Sequence, residues 1–367
     1  DFTLPSAGVP GLGGGTTAVT FSRGRFIGAE PTLGGTLTNC CGGPTTWGSW
    51  LTAEEEILRG SLIGAKDHGY IYEVPSPRLA PASATPIVDA GLMDHEACAV
   101  DPKTGDVYET EDNGPNSGFY RFRPLNTDPA IGALEQGGDL YMLKVAGAFN
   151  ADLRGVEAGD VFDAEWVPIA QPDMDPEFLS SPAPGFPDIS GSGRSGPYMQ
   201  GEALGGARFS RLEGCWYKDG VIYFIDTNAG PVGKGTIWAY QPDIERLTVI
   251  YASPSEEAMD NPDNVTISPR GGMLICEDGG GLVNSGARVN GTRLVGIQPN
   301  GESFFFAENN MELFGVPRGQ PQIPPDDYRG NEFAGACFDP TGRYLFVNIQ
   351  TPGVTFAITG PWGRGGL

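Results

Sequence analysis

The sequence predicts an all-β protein, and three observations predict it. Gly contributes 56 and Pro 32 of the 367 residues, about a quarter of the chain and roughly twice the usual share. That much turn chemistry leaves little room for long helices. Apolar residues make up 39% of the chain, with 12 Tyr, 19 Phe and 6 Trp, ample for a folded core. Finally, the apolar runs are short and recur in pairs about a Gly/Pro/Asp turn, as strands of successive hairpins do.

The pairs share one design: a polar or ligand-type residue, a short apolar strand, a turn, a second strand and a closing polar residue. Glu96-Ala-Cys-Ala-Val100, the turn Asp101-Pro-Lys-Thr-Gly105 and Asp106-Val-Tyr-Glu-Thr-Glu111-Asp112 form the clearest copy. Glu213 to Asp226, Asp263 to Glu277 and Glu332 to Asn348 repeat it around Lys218-Asp-Gly220, Ser268-Pro-Arg-Gly-Gly272 and Asp339-Pro-Thr-Gly342. Cys40 to Glu55 is a looser copy, in which Gly42-Gly43-Pro44 reads as an early turn. The two polar ends lie 15, 15, 13, 14 and 16 residues apart, taking the copies in chain order. A hairpin folds its ends back beside each other, so both ends of every copy fall at the same edge.

Further apolar runs supply outer strands, among them 69–74, 118–122, 236–240, 246–251, 293–297, 303–306 and 354–358. Hairpin plus two outer strands makes a four-stranded sheet, and several such sheets arranged radially make a β-propeller. Five copies are legible, and a sixth blade could use Thr17–Phe21 or Leu140–Val145. The expectation is a six-bladed propeller in one domain over residues 1–367. A loop-rich excursion at about 168–206 crosses one face, a length that usually marks a lid or binding loop.

Charge and cysteine usage narrow the function. With 46 Asp and Glu against 23 Lys and Arg, the net charge is −23. That balance repels nucleic-acid phosphate and anionic lipid alike. No apolar run approaches the ~20 residues of a membrane-spanning helix. The opening Asp1-Phe2-Thr3-Leu4-Pro5 has no charged segment before an apolar core, as expected of a mature form after signal cleavage. None of the six cysteines forms a C-x-x-C pair and only His68 and His95 offer imidazole, which argues against structural zinc. Cys98, Cys215, Cys276 and Cys337 sit in apolar strands as small core residues.

Repeat position brings Cys40, Glu96, Glu213, Asp263 and Glu332, with Glu55, Glu111, Asp226, Glu277 and Asn348, to one mouth of the channel. Carboxylates ~4 Å apart repel by about 4 kcal/mol per pair at an effective dielectric of 20. Either some hold protons or cations sit among them, and cations are the better reading. Carboxylates and amides suit hard ions such as Ca2+, whereas a thiolate beside them suits a trivalent or transition metal. Cys40 is then a ligand or a buried thiol in a Gly-rich turn. Arg211, two residues before Glu213 on extended backbone, faces the same side. It grips a phosphate or carboxylate there, or pairs with a neighbouring acid. Phosphate-loop, dinucleotide and G-x-S-x-G signatures are missing.

Asn39-Cys40-Cys-Gly-Gly-Pro-Thr-Thr-Trp47-Gly-Ser-Trp50-Leu-Thr-Ala-Glu54-Glu55 resembles the signature of PhoX-type alkaline phosphatases. His95-Glu96-Ala-Cys-Ala-Val-Asp101-Pro, Arg211-Leu-Glu213-Gly, Asp260-Asn-Pro-Asp263-Asn and Phe346-Val-Asn348-Ile-Gln350-Thr-Pro-Gly353 are similar to further blocks of that family. The chain is shorter than typical members; Cys41 stands where a small residue is usual, and Thr46 where the family has Pro. The resemblance implies a six-bladed propeller, export to the periplasm or beyond it, phosphomonoester hydrolysis, and a cluster of Fe3+ and Ca2+. It implies Cys40 as an iron ligand, Glu96, Glu213 and Asp263 as ligands or bridges, and Arg211 as the holder of the substrate phosphate, with Arg211 and Glu213 serving catalysis. Glu55, Glu277 and Glu332 join the ligands as much by repeat position. The expected partners are small phosphomonoesters and the expected state a monomer. The rival expectations are a Ca2+-dependent propeller lactonase or phosphotriesterase, and a non-catalytic propeller stiffened by calcium.

Overall fold

Backbone pairing turns the repeats into sheets. A computed structural model describes residues 13–279, 283–284, 287–288, 290–298, 300–365 and 367, and within them the chain is almost entirely strand and turn. It divides into two compact units that interleave along the sequence. The first takes residues 1–153, 162–222 and 240–247; the second takes 154–161, 223–239 and 248–367.

In the first unit β1 (Gly14–Ser22) and β2 (Arg25–Thr36) pair as a two-stranded hairpin of their own. The expected strand at Thr17–Phe21 therefore pairs with β2 rather than opening a four-stranded sheet. The main sheet of this unit contains β3 (Asn39–Pro44), β4 (Ser49–Glu54), β5 (Ile71–Pro75), β6 (His95–Val100) and β7 (Val107–Glu111). It continues with β8 (Phe119–Pro124), β9 (Gly138–Val145) and β10 (Val161–Ile169), in the spatial order β5-β4-β3-β6-β7-β8-β9-β10. The other expected sixth-blade strand, Leu140–Val145, thus lies in β9, beside β8. The turn Asp101–Gly105 closes β6 onto β7 through Asp101 N to Asp106 O at 2.9 Å, with Gly105 at φ +80°.

The excursion holds a short ladder, β11 (Phe178–Ser180) with β12 (Ser190–Ser192), and one helix, α1 (Gly196–Ala203). Ser195 caps α1 by accepting from Tyr198 N at 3.1 Å. Arg59 ties the excursion to the strands through Asp173 at 2.9 Å and Asp175 at 2.6 Å. β13 (Leu212–Lys218) ends at a tight turn with Asp219 and Gly220 both at positive φ. The core of this unit gathers Leu51, Val100, Tyr120, Leu140, Met142 and Tyr198, all at most 3% exposed.

Residues of β14 (Val221–Asp226), β15 (Thr236–Gln241) and β16 (Arg246–Ala252) divide between the units. The second unit holds β17 (Pro262–Ile267), β18 (Met273–Glu277), a short ladder of β19 (Val283–Asn284) with β20 (Ala287–Arg288), β21 (Arg293–Ile297) and β22 (Ser303–Glu308). β17-β18-β21-β22 form a four-stranded antiparallel sheet, the arrangement the repeat predicts. β23 (Phe333–Phe338), β24 (Tyr344–Ile349) and β25 (Val354–Thr359) form a three-stranded one. Leu274, Leu294, Phe333, Leu345, Val347 and Trp362 make its core.

One expectation fails locally. Gly42-Gly43-Pro44 is strand, not turn; the reversal comes at Thr45–Ser49, where Thr45 N donates to Ser49 O at 2.9 Å. Close packing is the reason. A Cβ on Gly42 would stand 1.7 Å from Leu51 O, and one on Gly43 1.8 Å from Cys98 O. The two glycines let β3 fit tightly between β4 and β6.

Candidate metal centre

Three of the expected ligands converge in the first unit. β3 runs parallel to β6 with Gly42 opposite Ala97, which lays the opening end of β3, with Cys40, along the opening end of β6, with Glu96. β3 pairs antiparallel to β4 with Asn39 opposite Glu54, and Glu55 N donates to Thr38 O at 3.0 Å. Glu55 thereby comes round to the same edge. The Cys40 thiol and one oxygen each of Glu55 and Glu96 lie within 4.8 Å of one another. Glu96 is buried, at 1% exposure, while Cys40 and Glu55 are half-buried.

The electrostatics of this trio call for a positive charge. Burial first, and then the charge of Asp112, push the Glu55 carboxyl up to about 7, against the opposing pull of the Cys40 thiol and Arg211. A thiol and two carboxyls in one partly dry space hold their ionised forms cheaply only around a cation. The donor set, one soft sulfur with two hard oxygens, fits a trivalent or transition metal better than Ca2+ alone.

The neighbouring acids and histidines have other work. Glu54, next to Glu55, is fully buried, and its carboxylate accepts from Leu37 N and Gly69 N, both at 2.8 Å. His68 Nδ1 meets the same carboxylate at 2.7 Å. His95 Nε2 donates to Gly91 O at 3.0 Å, and burial lowers its pKa to about 4. Both imidazoles are thus engaged in packing contacts. Trp50 Nε1 donates to Cys41 O on β3 at 3.0 Å and Trp47 Nε1 to Glu73 on β5 at 2.6 Å, which ties the signature tryptophans to the sheet that carries Cys40.

Arg211 is held by two acids. Its Nε lies 2.8 Å from Asp112 Oδ1 and its Nη2 2.5 Å from Asp112 Oδ2, a bidentate fork. Nη2 also lies 3.1 Å from Glu213 Oε1. Arg211 is therefore paired with neighbouring acids, and 36% of its side chain remains open to solvent. The repeat points to Glu111 as the closing residue, yet it is its neighbour Asp112 that faces the arginine. Glu111 turns inward instead, accepting from Gly118 N at 3.0 Å and Tyr120 Oη at 2.7 Å. The signal for Asp112 was there, since it adjoins the closing residue of the clearest repeat.

The second unit holds Asp263, Glu277 and Glu332. Asp263 Oδ1 accepts from Asn264 Nδ2 at 2.9 Å, and Asn264 Oδ1 accepts from Gly335 N at 2.6 Å. Glu332 lies just before β23, with its backbone oxygen accepting from Gln350 N at 3.1 Å. Glu277 departs from expectation. Its oxygens accept from Asp260 N at 2.8 Å and from Arg293 N, Nε and Nη2 at 3.0, 2.7 and 2.7 Å. A carboxylate so filled by a buried guanidinium is a structural ion pair. Asn348 bonds within its own sheet, to Ala334 O at 3.2 Å and Thr355 at 2.7 Å.

The chain resembles known proteins in family and in fold. The family described as "Alkaline phosphatase PhoX" matches residues 28–353. PhoX of Pseudomonas fluorescens, solved with vanadate, a transition-state analogue, aligns with a TM-score of 0.57 at 19% identity, over 87% of this chain and 66% of that one. This chain thus spans slightly less than two thirds of that structure's length. The likeness shows the fold, all-β and propeller-like. Hydrazine synthase of Kuenenia stuttgartiensis (TM-score 0.32, 9% identity, 79% and 70% of the chains) is more distant. So is a gluconolactonase of Xanthomonas campestris (0.29, 9%, 85% and 90%); neither score carries an argument. No curated protein matches. On a family match covering most of its length, the chain belongs to the PhoX alkaline phosphatase family.

Proposed function

We propose that the protein is an exported, metal-dependent phosphomonoesterase with Fe3+ at the Cys40 thiol and Ca2+ among the carboxylates. The observation that carries this reading is the convergence of Cys40, Glu55 and Glu96 within 4.8 Å, inside a family match that runs from residue 28 to 353. By the family resemblance Glu213, Asp263 and Glu332 are proposed as further metal ligands, whereas Glu277 is paired with Arg293. Metal ions at such a site lower the pKa of bound water and offset the charge of a phosphate.

The chain's own residues supply the rest. Arg211 offers a fixed, partly exposed guanidinium to the phosphate. Its charge opposes the one that develops on the transferring group. Glu213 stands within 3.1 Å of that guanidinium, next to the site. The Pseudomonas protein binds vanadate, a transition-state analogue, and this chain is proposed to handle the same class of ligand. Small phosphomonoesters would be its substrates, the periplasm or medium its location, and a monomer its working form.

Elemental analysis of the purified protein beside a Cys40→Ala variant tests the reading, with p-nitrophenyl phosphate as substrate. The expected result is iron together with calcium in the parent, iron lost in the variant, and hydrolysis falling with it. Calcium alone, unchanged in the variant, would instead favour a lactonase-like or purely binding role.

A further inference from the structure

We propose that the segment Asp112–Ser117, which leaves β7 toward β8, is a cradle that sets the position of Arg211. This deepens the phosphatase reading and rests on it, because it specifies how the phosphate-holding arginine is kept in place. The cradle grips Arg211 at three levels. At the head, the Asp112 carboxylate takes Nε and Nη2 side by side, at 2.8 and 2.5 Å. Along the stem, a Cβ on Gly114 would stand 2.8 Å from Arg211 Cγ and 3.1 Å from Cδ, so only glycine leaves the stem where it lies.

At the backbone, Ser117 binds both flanks of Arg211. Ser117 N donates to Phe209 O at 3.3 Å, and Phe209 N donates to Ser117 O at 3.1 Å. The Ser117 hydroxyl donates to Ser210 O at 3.1 Å and accepts from Leu212 N at 3.3 Å. The cradle is itself anchored. Asp112 N donates to Asp94 O at 3.0 Å, and Asn113 Nδ2 reaches Asp94 Oδ2 and Gly193 O, both at 2.8 Å.

An ordinary surface ion pair needs none of this. A long side chain loses rotamer freedom when it binds, and a fork fixed beforehand spares that loss at the moment of substrate binding. Here an aspartate side chain 6% exposed holds an arginine side chain 36% exposed, an arrangement that fixes the arginine's inner edge while the side chain still reaches solvent. Asp112 and Gly114 are therefore positioning residues, acting on substrate through Arg211.

Two variants of the metal-loaded enzyme test this by different routes: Asp112→Asn removes the clamp's charge, and Gly114→Ala displaces the stem while leaving every charge in place. Each is expected to raise KM for p-nitrophenyl phosphate and Ki for inorganic phosphate together, by about tenfold, with the parent's iron and calcium content. In an Arg211→Ala background neither should cost anything further. An equal cost in that background, or loss of metal in Asp112→Asn, would overturn the cradle and make Asp112 an independent ligand. If the parent neither hydrolyses a phosphomonoester nor binds phosphate, the phosphatase reading fails separately. The cradle is then read from thermal melting of Asp112→Asn, Arg211→Ala and the double variant. Non-additive melting temperatures would sustain it, and additive ones would sink it.

Discussion

Among individual residues, what decides a carboxylate's role here is the cation that stands opposite. Glu55 and Glu277 occupy closing positions of their repeats, yet Glu55 sits beside a thiol and Glu96, whereas Glu277 faces Arg293 at 2.7 Å with both side chains at most 4% exposed. Removing one partner of such a buried pair leaves a naked charge and costs about 3–5 kcal/mol. Arg293→Met is expected to lower unfolding free energy by that much in denaturant titration. The double change Glu277→Gln, Arg293→Met should lose less, because no charge is then left unpaired. A single variant that melts with the parent would show that the pair carries no stability. Sequence spacing put Glu277 at the right edge of its hairpin, but Arg293 lies on a strand 16 residues on, and only pairing of β18 with β21 brings the two together.

At the level of elements, four of the inner hairpins carry a β-bulge at the opening end. The shifts fall between Cys40 and Gly43, His95 and Cys98, Pro262 and Val265, and Ala334 and Cys337. A bulge adds a residue to one strand and re-aims the side chains beside it. That explains why the repeat arithmetic came within one residue of the true pairs, Asn39 with Glu54 and His95 with Glu111, without landing on them. Period-2 alternation was legible; the bulges were not, because their cause is contact with the neighbouring strand. The glycines of β3 illustrate this. Gly42→Ala and Gly43→Ala each force a methyl against a backbone carbonyl under 2 Å away, a clash that cannot be relieved without separating β3 from β4 or β6. Both variants are expected to lose soluble, β-rich protein by circular dichroism, and with it all metal. A folded Gly43→Ala protein would disprove the close approach.

For the whole molecule the governing quantity is acid in excess, a net charge of −23, with part of that acid buried. Burial raises the carboxyls of Asp94 and Glu109 and pushes Glu111 up to about 7, against hydrogen bonds that pull it down. In the unfolded chain the Glu111 carboxyl titrates near 4.5. The folded state therefore keeps a proton that the unfolded state has released. Its favourable contribution is complete below about 4.5 and is lost as pH rises through about 7. Melting temperature is expected to fall between pH 5 and 8, and Glu111→Gln to flatten that fall. An unaltered slope in the variant would assign the pH dependence to other groups.

The sequence alone determined the all-β class, most strand positions, the side of each hairpin on which the polar residues gather, and a family resemblance centred on Cys40 to Glu55. These follow from local rules: turn residues, alternation, and motif spacing that survives in one dimension. Tertiary structure decided which acids face a thiol and which face a guanidinium, that Gly42-Gly43-Pro44 is strand, and that Asp112, Gly114 and Ser117 converge on Arg211 from about a hundred residues away in the chain. Such pairings depend on register and close approach between strands distant in sequence, and no periodicity along the chain encodes them.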